Sequence, residues 1–180
     1  MTTSYNGWQA SQNPDAIGIN RAWEPIPGHR FPGGVKSGDV ETVMTYLVRQ
    51  LDARVEPIEM YPPGDEWGYH YKQSANSPRL LSCHSSGTAI DYNATRHPNG
   101  KRGTWTSVQV SVIRSILNEV SGVVRWLGDA SGTADEMHFE IHGSPTQVAT
   151  AARNLASPWT PPESAPAPTP SAPSPIATVL

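Results

Sequence analysis

The stretch "DEMHFEIH", residues 135–142, decides the fold because its apolar and polar residues alternate. The apolar positions are Met137, Phe139 and Ile141, and the polar positions are Glu136, His138, Glu140 and His142. Successive side chains of a strand point to opposite faces, so this pattern predicts a strand with one face in a hydrophobic core. The polar face allows two interpretations. It is either the solvated side of an antiparallel sheet, or it holds a metal ligand in a fixed direction.

Further strands and three helices are predicted around this one. "TAIDYN" (residues 88–93) and "GVVRWLG" (residues 122–128) carry β-branched and aromatic residues between turn signals. Apolar residues at three- and four-residue spacing predict helices over residues 37–55, 106–122 and 144–156. The predicted apolar stripe of the second helix consists of Val108, Val112, Ile113, Ile116, Leu117 and Val120. The predicted helix boundaries are Ser37 and Ser144 as N-caps, Pro145 in a first turn, and Gly122 as a stop. We therefore expect a small α+β domain, an antiparallel sheet flanked by helices.

Length and composition restrict the classes of function that are open to this chain. The chain has 180 residues, a formal net charge of −3 and a single cysteine. A weakly acidic chain lacks the basic surface that nucleic acid or an anionic membrane attracts, and no apolar run is long enough to span a membrane. One cysteine excludes an internal disulfide. Eight of the 18 prolines lie in residues 158–180, so we expect one domain over residues 1–157 followed by a proline-rich linker or tail.

A second polar stretch, "SCHSSGTAIDYNATRHPNG" (residues 82–100), offers metal-ligating side chains. His84 and Asp91 are seven residues apart, which would put them on opposite faces of a continuous strand. The Ser-Ser-Gly segment between them breaks the strand, so the two can still converge. Imidazole and carboxylate groups suit Zn²⁺, but a site needs a third ligand, which His138 can supply. His97 lies beyond the strand, in a basic loop that we expect to be solvated, with contact to the carboxylates of a substrate as the alternative.

Here the sequence resembles a known family. "SCHSSGTAID" is similar to the S-x-H-x-x-G-x-A-x-D motif of zinc peptidases of the D-Ala-D-Ala carboxypeptidase and L-alanyl-D-glutamate peptidase group. "DEMHFEI" is similar to the second motif of that group, in which an acidic residue stands three places before the last histidine ligand. The resemblance runs from about residue 6 to 156 and is nearest to the peptidase domain of endolysins from phages of actinobacteria. It implies a fold of the hedgehog/DD-peptidase type.

The resemblance also implies roles for individual residues. His84, Asp91 and His138 would bind zinc, and Asp135 would be the catalytic base. The family has a basic residue upstream of the first motif that polarises the substrate carbonyl, and this chain does not show it plainly. The candidates for substrate binding are Lys72, Arg79, His70 and Ser82. Glu140 shares the strand face of His138 and is expected to orient a ligand, with an exposed strand glutamate as the alternative.

The resemblance implies a zinc-dependent hydrolase that cuts the peptide stem of peptidoglycan, at the L-Ala–D-Glu bond. A D-Ala-D-Ala carboxypeptidase or D,D-endopeptidase is the first alternative, and a zinc-bearing wall-binding module without turnover is the second. We expect a monomer whose partner is the peptidoglycan stem. The first residues have neither the basic nor the apolar region of a signal peptide. We therefore expect synthesis in the host cytoplasm and action on the bacterial cell wall after holin-dependent release.

Overall fold

A computed structural model of the chain describes residues 2–58, 64–74 and 77–156. The described residues form the predicted α+β fold, with small antiparallel sheets and three helices. The strands are β1 (Ile19–Asn20), β2 (Val35–Lys36), β3 (Gln73–Ser74), β4 (Ser77–Leu81), β5 (Ala89–Asp91), β6 (Val124–Trp126) and β7 (His138–Ile141). The helices are α1 (Asp39–Arg54), α2 (Ser107–Glu119) and α3 (Pro145–Ala156). The proline-rich segment 158–180 lies outside the described residues.

The three predicted strands form one antiparallel sheet in the order β5-β7-β6. The central strand β7 pairs Phe139 with Ile90 of β5 and with Trp126 of β6. These three side chains are at most 3% exposed and belong to the hydrophobic core. The apolar half of the alternation is therefore confirmed for Phe139 and Ile141, whereas Met137 precedes the strand and is only half-buried. The interpretation of the polar half as a solvated face is wrong, because His138 and Glu140 are also buried.

Helix α1 lies in the middle of the core and contacts both α2 and α3. Its buried face consists of Val40, Val43, Met44, Leu47, Val48 and Leu51, as the spacing predicts. The predicted N-cap is wrong. Gly38 occupies the cap position without a side-chain hydrogen bond, and its φ of 84° is readily adopted only by glycine. Asp39 and Glu41 in the first turn instead offer negative charge to the positive end of the helix dipole.

Helices α2 and α3 both begin with a capping box, a reciprocal pair of hydrogen bonds between the N-cap residue and the residue three positions later. Thr106 accepts a hydrogen bond from the backbone N–H of Gln109, whose side chain accepts one from the Thr106 backbone. Ser144 and Gln147 repeat this reciprocal pair ahead of α3, which confirms Ser144 as an N-cap. One part of the predicted stripe of α2 is wrong. Val108 is 71% exposed, so the first turn of the helix does not face the core.

The residues before position 37 form an N-terminal arm without a periodic pattern in the sequence, and part of this arm lies in the core. Strands β1 and β2 pair with each other there, and Trp23, Phe31 and Val35 are buried in the main core. Strands β3 and β4 form a hairpin that the sequence did not predict. Among the described residues, no helix combines the length and hydrophobicity that crossing a membrane would require.

Candidate metal centre

Strand pairing brings Asp91 and His138 together. Asp91 at the end of β5 stands directly opposite His138 at the start of β7. Directly opposed residues of antiparallel strands project to the same face, with Cβ atoms about 5 Å apart. The backbone ladder therefore places both residues on the same face of the sheet. The outer edge of β5 is also occupied, because Asp91 exchanges two backbone hydrogen bonds with Trp67, at 2.8 and 3.1 Å.

His84 reaches the same place from a short 3-10 helix, Cys83–Ser86, which begins at Ser82 and ends at Gly87. The Ser82 hydroxyl accepts a hydrogen bond from the backbone N–H of His84 at 3.3 Å. Gly87 has a φ of 66°, and a Cβ atom there would lie 2.8 Å from the backbone nitrogen of Lys36. Only glycine fits this bend without strain. The bend is the break that lets His84 and Asp91 converge despite their odd separation.

The three side chains converge, and each contributes one atom to a triangle of close contacts. His84 Nε2 lies 3.2 Å from Asp91 Oδ1 and 3.2 Å from His138 Nδ1, and the last two atoms are 2.8 Å apart. Zinc–nitrogen and zinc–oxygen bonds of about 2.0–2.1 Å give a tetrahedron with edges of about 3.3 Å. Two sides of the observed triangle match that edge, and the third is a hydrogen-bond length. Within the described segments, this is the one cluster of histidine, cysteine and carboxylate groups with metal-binding spacing.

The outer nitrogen of each histidine has its own acceptor. His84 Nδ1 lies 2.6 Å from the carbonyl oxygen of Gly68, and His138 Nε2 lies 3.1 Å from Glu140 Oε2. If these nitrogens carry the protons, His84 Nε2 and His138 Nδ1 present their lone pairs to the centre of the triangle. Histidines that bind metals are usually held in this way, by a backbone carbonyl or a carboxylate behind the ring. The residues therefore fit a divalent cation such as Zn²⁺.

Burial and mutual charge support the protonation states that a metal needs. Burial lowers the pKa of His84 and so favours its neutral form, against the opposing charge of Asp91. Burial alone would raise the pKa of Asp91, but the two histidines hold it well below its usual range. Neutral imidazoles and an ionised carboxylate are the forms that bind metals.

Asp135 lies beside this triangle and lines the same pocket as the three converging residues. It is 9% exposed, and its Oδ1 atom is buried without a hydrogen-bond partner. Burial raises the pKa of Asp135, while the neighbouring His138 and a hydrogen bond with the Asn99 side chain lower it. A buried carboxylate oxygen without a partner carries a desolvation cost, unless a water or substrate atom contacts it. Asp135 thus lines the pocket and has one carboxylate oxygen without a hydrogen-bond partner.

Only two of the four predicted substrate-binding residues line the pocket. It is lined by Tyr5, Lys72, Ser74, Ser82, His84, Asp91, Asn99, Leu127, Asp135, Met137 and His138. Lys72 and Ser82 are therefore at the pocket, whereas the exposed side chains of His70 and Arg79 do not line it. Lys72 is held through its backbone, which exchanges hydrogen bonds of 2.9 and 2.8 Å with the Ser85 hydroxyl. Among the described residues, Lys72 is the only basic side chain of the lining besides the two histidines of the triangle.

Glu140 is placed behind His138, and the alternative of an exposed strand glutamate is wrong. Its side chain is 1% exposed and contacts three groups from different parts of the chain. Oε2 accepts hydrogen bonds from His138 Nε2 and the Tyr5 hydroxyl, and Oε1 accepts from Arg125. Arg125 comes from β6, where it stands opposite Glu140 in the sheet. Nothing local in the sequence signalled the contribution of Tyr5, which lies in a segment without periodicity.

The loop around His97 is exposed, as expected, but His97 itself is buried. Its side chain is 1% exposed and stacks on Trp105, with ring centroids 3.4 Å apart. Its ring nitrogens lie 2.7 Å from the Thr104 hydroxyl and 3.3 Å from Glu56 Oε1. The same loop also supplies Asn99 to the pocket. His97 therefore anchors the loop that supplies Asn99 to the pocket.

Comparison with known proteins agrees with this geometry over part of the chain. The sequence model of a family described as D-alanyl-D-alanine carboxypeptidase matches residues 75–141. No curated protein and no solved structure matches the chain significantly. The matched segment is well under half of the 180 residues, yet it contains His84, Asp91, Asp135 and His138. Over this segment the chain is similar to D-alanyl-D-alanine carboxypeptidases, and the match together with the His-Asp-His cluster supports a metallopeptidase.

Proposed function

We propose that the protein is a zinc-dependent peptidase that hydrolyses a peptide bond in the stem of bacterial peptidoglycan. One observation carries the proposal. A buried aspartate with an unpartnered oxygen lies in the same pocket as three convergent metal-ligating atoms. A metal with a purely structural role has no need of such a carboxylate. The similarity to D-alanyl-D-alanine carboxypeptidases over residues 75–141 supports a cell-wall peptide as the substrate.

In this proposal His84, Asp91 and His138 are the protein ligands of the metal. A zinc ion bound there supplies Lewis acidity for water activation and for the charge that develops on the substrate carbonyl. Three protein ligands leave a fourth position open, as catalytic zinc sites require. The zinc is proposed from the donor set, since two imidazoles and a carboxylate suit this ion.

Asp135 acts as general base and then as general acid. Its Oδ1 takes a proton from the attacking water, and the same group returns a proton to the leaving amine. Burial makes the carboxylate a better proton acceptor than an exposed aspartate, since it raises the pKa of Asp135. Asn99 holds the group at the pocket wall and limits that rise.

Lys72 is our choice for the basic residue that contacts the substrate, because His70 and Arg79 lie outside the pocket lining. An exposed ammonium on a flexible stem acts as a point charge that a carbonyl or carboxylate oxygen of the stem can approach. Ser82 and Ser74 add hydroxyl groups to the same wall.

We propose the L-Ala–D-Glu bond as the site of cleavage and an endolysin as the biological role. A carboxypeptidase must hold a free terminal carboxylate, for which a fixed arginine is the usual partner because it binds carboxylates through two parallel hydrogen bonds. The pocket, as far as its lining is described, contains Lys72 and no arginine. Resemblance of both sequence motifs to endolysin peptidase domains supports release to the wall from an infected host cell.

A D-Ala-D-Ala carboxypeptidase or D,D-endopeptidase is the second candidate, favoured by the description of the matching family. Purified cell walls digested with the protein distinguish the two, because mass spectrometry of the released fragments identifies the cut bond. A new N-terminal D-Glu would support our proposal. Free D-Ala, or stems separated at a D-Ala cross-link, would support the second candidate. Cleavage that persists undiminished in excess chelator, by protein without bound metal, would overturn both.

A further inference from the structure

We propose that Tyr5 is a positioning residue of the metal centre, which fixes the His138 imidazole through the carboxylate of Glu140. Tyr5 lies 133 residues before His138 and outside residues 75–141, the segment that the peptidase family model matches. It nevertheless lines the same pocket as the three converging ligands. The inference rests on the proposed function, in which His138 binds the metal.

The N-terminal segment that carries Tyr5 is fastened on both sides of this residue. The Ser4 hydroxyl donates to the Ser86 hydroxyl at 2.7 Å, at the end of the 3-10 helix that carries His84. The Asn6 amide donates to the Ile141 carbonyl at 2.9 Å, at the end of the strand that carries His138. The backbone N–H of Tyr5 itself donates to the Leu81 carbonyl at 3.0 Å. Tyr5 is therefore held between the two elements that supply the histidine ligands.

The side chain of Tyr5 contacts one oxygen of Glu140, and its hydroxyl also accepts from Arg125 Nη2 at 3.4 Å. Its hydroxyl donates to Glu140 Oε2, the same oxygen that lies 3.1 Å from His138 Nε2. The other oxygen, Oε1, accepts from Arg125 Nε at 2.9 Å. Each carboxylate oxygen thus has its own donor set, with Arg125 on one side and Tyr5 with His138 on the other.

The hydroxyl is needed because the carboxylate has little orientational preference of its own. The terminal torsion of a glutamate is broad, so neighbouring donors decide where its oxygens point. Without the Tyr5 hydroxyl, the strong charge-assisted bonds from Arg125 would dominate the orientation of the group. The remaining bond to His138 would then be less well aligned. Metal-binding histidines depend on that outer bond for ring orientation and basicity.

The expected loss of zinc affinity depends on how many contacts lie between Tyr5 and the metal. Loss of a group that contacts a metal ligand typically weakens metal binding about 10- to 100-fold. Tyr5 acts one contact farther out, through Glu140, so we expect Tyr5→Phe to weaken zinc binding about 10-fold. The ring remains in this variant, so the packing of the arm is retained.

Two other tyrosines provide matched controls. The Tyr46 hydroxyl donates to Glu119 at 2.8 Å, so Tyr46→Phe removes the same kind of bond at a site formed by α1 and α2. The Tyr69 hydroxyl donates to the Ser11 carbonyl at 2.7 Å, so Tyr69→Phe loosens the same N-terminal segment without contacting Glu140. An effect caused by general loss of stability, or by a looser arm, would therefore occur in the controls as well.

The experiment compares zinc affinity, by competition with a chromophoric chelator, and the His138 ring in ¹⁵N-histidine NMR of the metal-free protein. We expect Tyr5→Phe alone to lose about 10-fold in affinity and to show faster exchange of the His138 Nε2 proton. Wild-type affinity and exchange in Tyr5→Phe would overturn the inference. If the wild type binds no zinc, the proposed function fails, while the NMR comparison still decides the role of Tyr5.

Discussion

Asp91 and His138 stand opposite each other on adjacent antiparallel strands, with Asp91 Oδ1 2.8 Å from His138 Nδ1. The sheet register alone brings these two groups together, although 46 residues separate them in the sequence. His84 joins them from a separate element, the 3-10 helix before β5. The triangle therefore depends on one turn and one strand pairing, both formed by backbone hydrogen bonds.

Removal of His84 tests the ligand set. His84→Ala deletes one of the three converging nitrogen and oxygen atoms, and we expect zinc affinity to fall more than about 100-fold, since even outer contacts are worth 10- to 100-fold. His142→Ala is the matched control, because that histidine is exposed at the end of β7 and outside the triangle. Elemental analysis after dialysis measures the bound metal. Stoichiometric zinc in His84→Ala would contradict the assignment.

A substitution of Asp135 distinguishes loss of catalysis from loss of metal binding. Asp135→Asn keeps the shape of the side chain but cannot accept the proton from water, so we expect cleavage of cell walls to fall about 10²- to 10⁴-fold. Zinc content and binding to walls should stay at the wild-type level, because Asp135 is outside the triangle. Asp129→Asn, at an exposed aspartate paired with Arg114, is the control. Normal cleavage by Asp135→Asn would show that another group is the base.

Much of this site was predictable from the sequence, for reasons that can be named. The strand that carries His138 has a period of two, and the motif around His84 has a fixed spacing that includes the bend at Gly87. The N-cap at Ser144 follows from a local pattern, because its partner Gln147 is only three residues away. Each of these signals is local, so each survives without knowledge of the tertiary structure.

The remaining features depend on contacts between distant residues. Tyr5 reaches Glu140 across 135 positions, and Gly68 offers its carbonyl to His84 from a segment with no regular structure of its own. His97 is buried because its ring stacks on Trp105. The basic residues around it in the sequence indicate an exposed position instead. Such contacts have no sequence period, since they are determined by how separate elements pack together.

The pH profile of cleavage should show the environment of Asp135. The group must be ionised to accept a proton, so activity rises as pH increases through its pKa, and burial moves that rise to a higher pH than for an ordinary aspartate. Asn99→Ala removes a hydrogen bond that favours the ionised form, so we expect the acid limb to move to still higher pH. Asn118→Ala, at an exposed position of α2, is the control. An unchanged acid limb in Asn99→Ala would disconnect Asn99 from the base.

A second carboxylate, Glu66, is not part of the metal triangle and should control the pH dependence of stability. Burial and the neighbouring Asp65 raise the pKa of Glu66 from 4.5 to about 7 in the folded protein. The folded state therefore binds this proton more tightly than the unfolded state, so stability falls as pH rises from about 4.5 to 7. Glu66→Gln resembles the protonated form and should raise the free energy of unfolding by about 1–3 kcal/mol at pH 8. Near pH 4.5 the difference should nearly vanish, and urea denaturation at both pH values measures it. A difference that does not depend on pH would mean that Glu66 titrates normally.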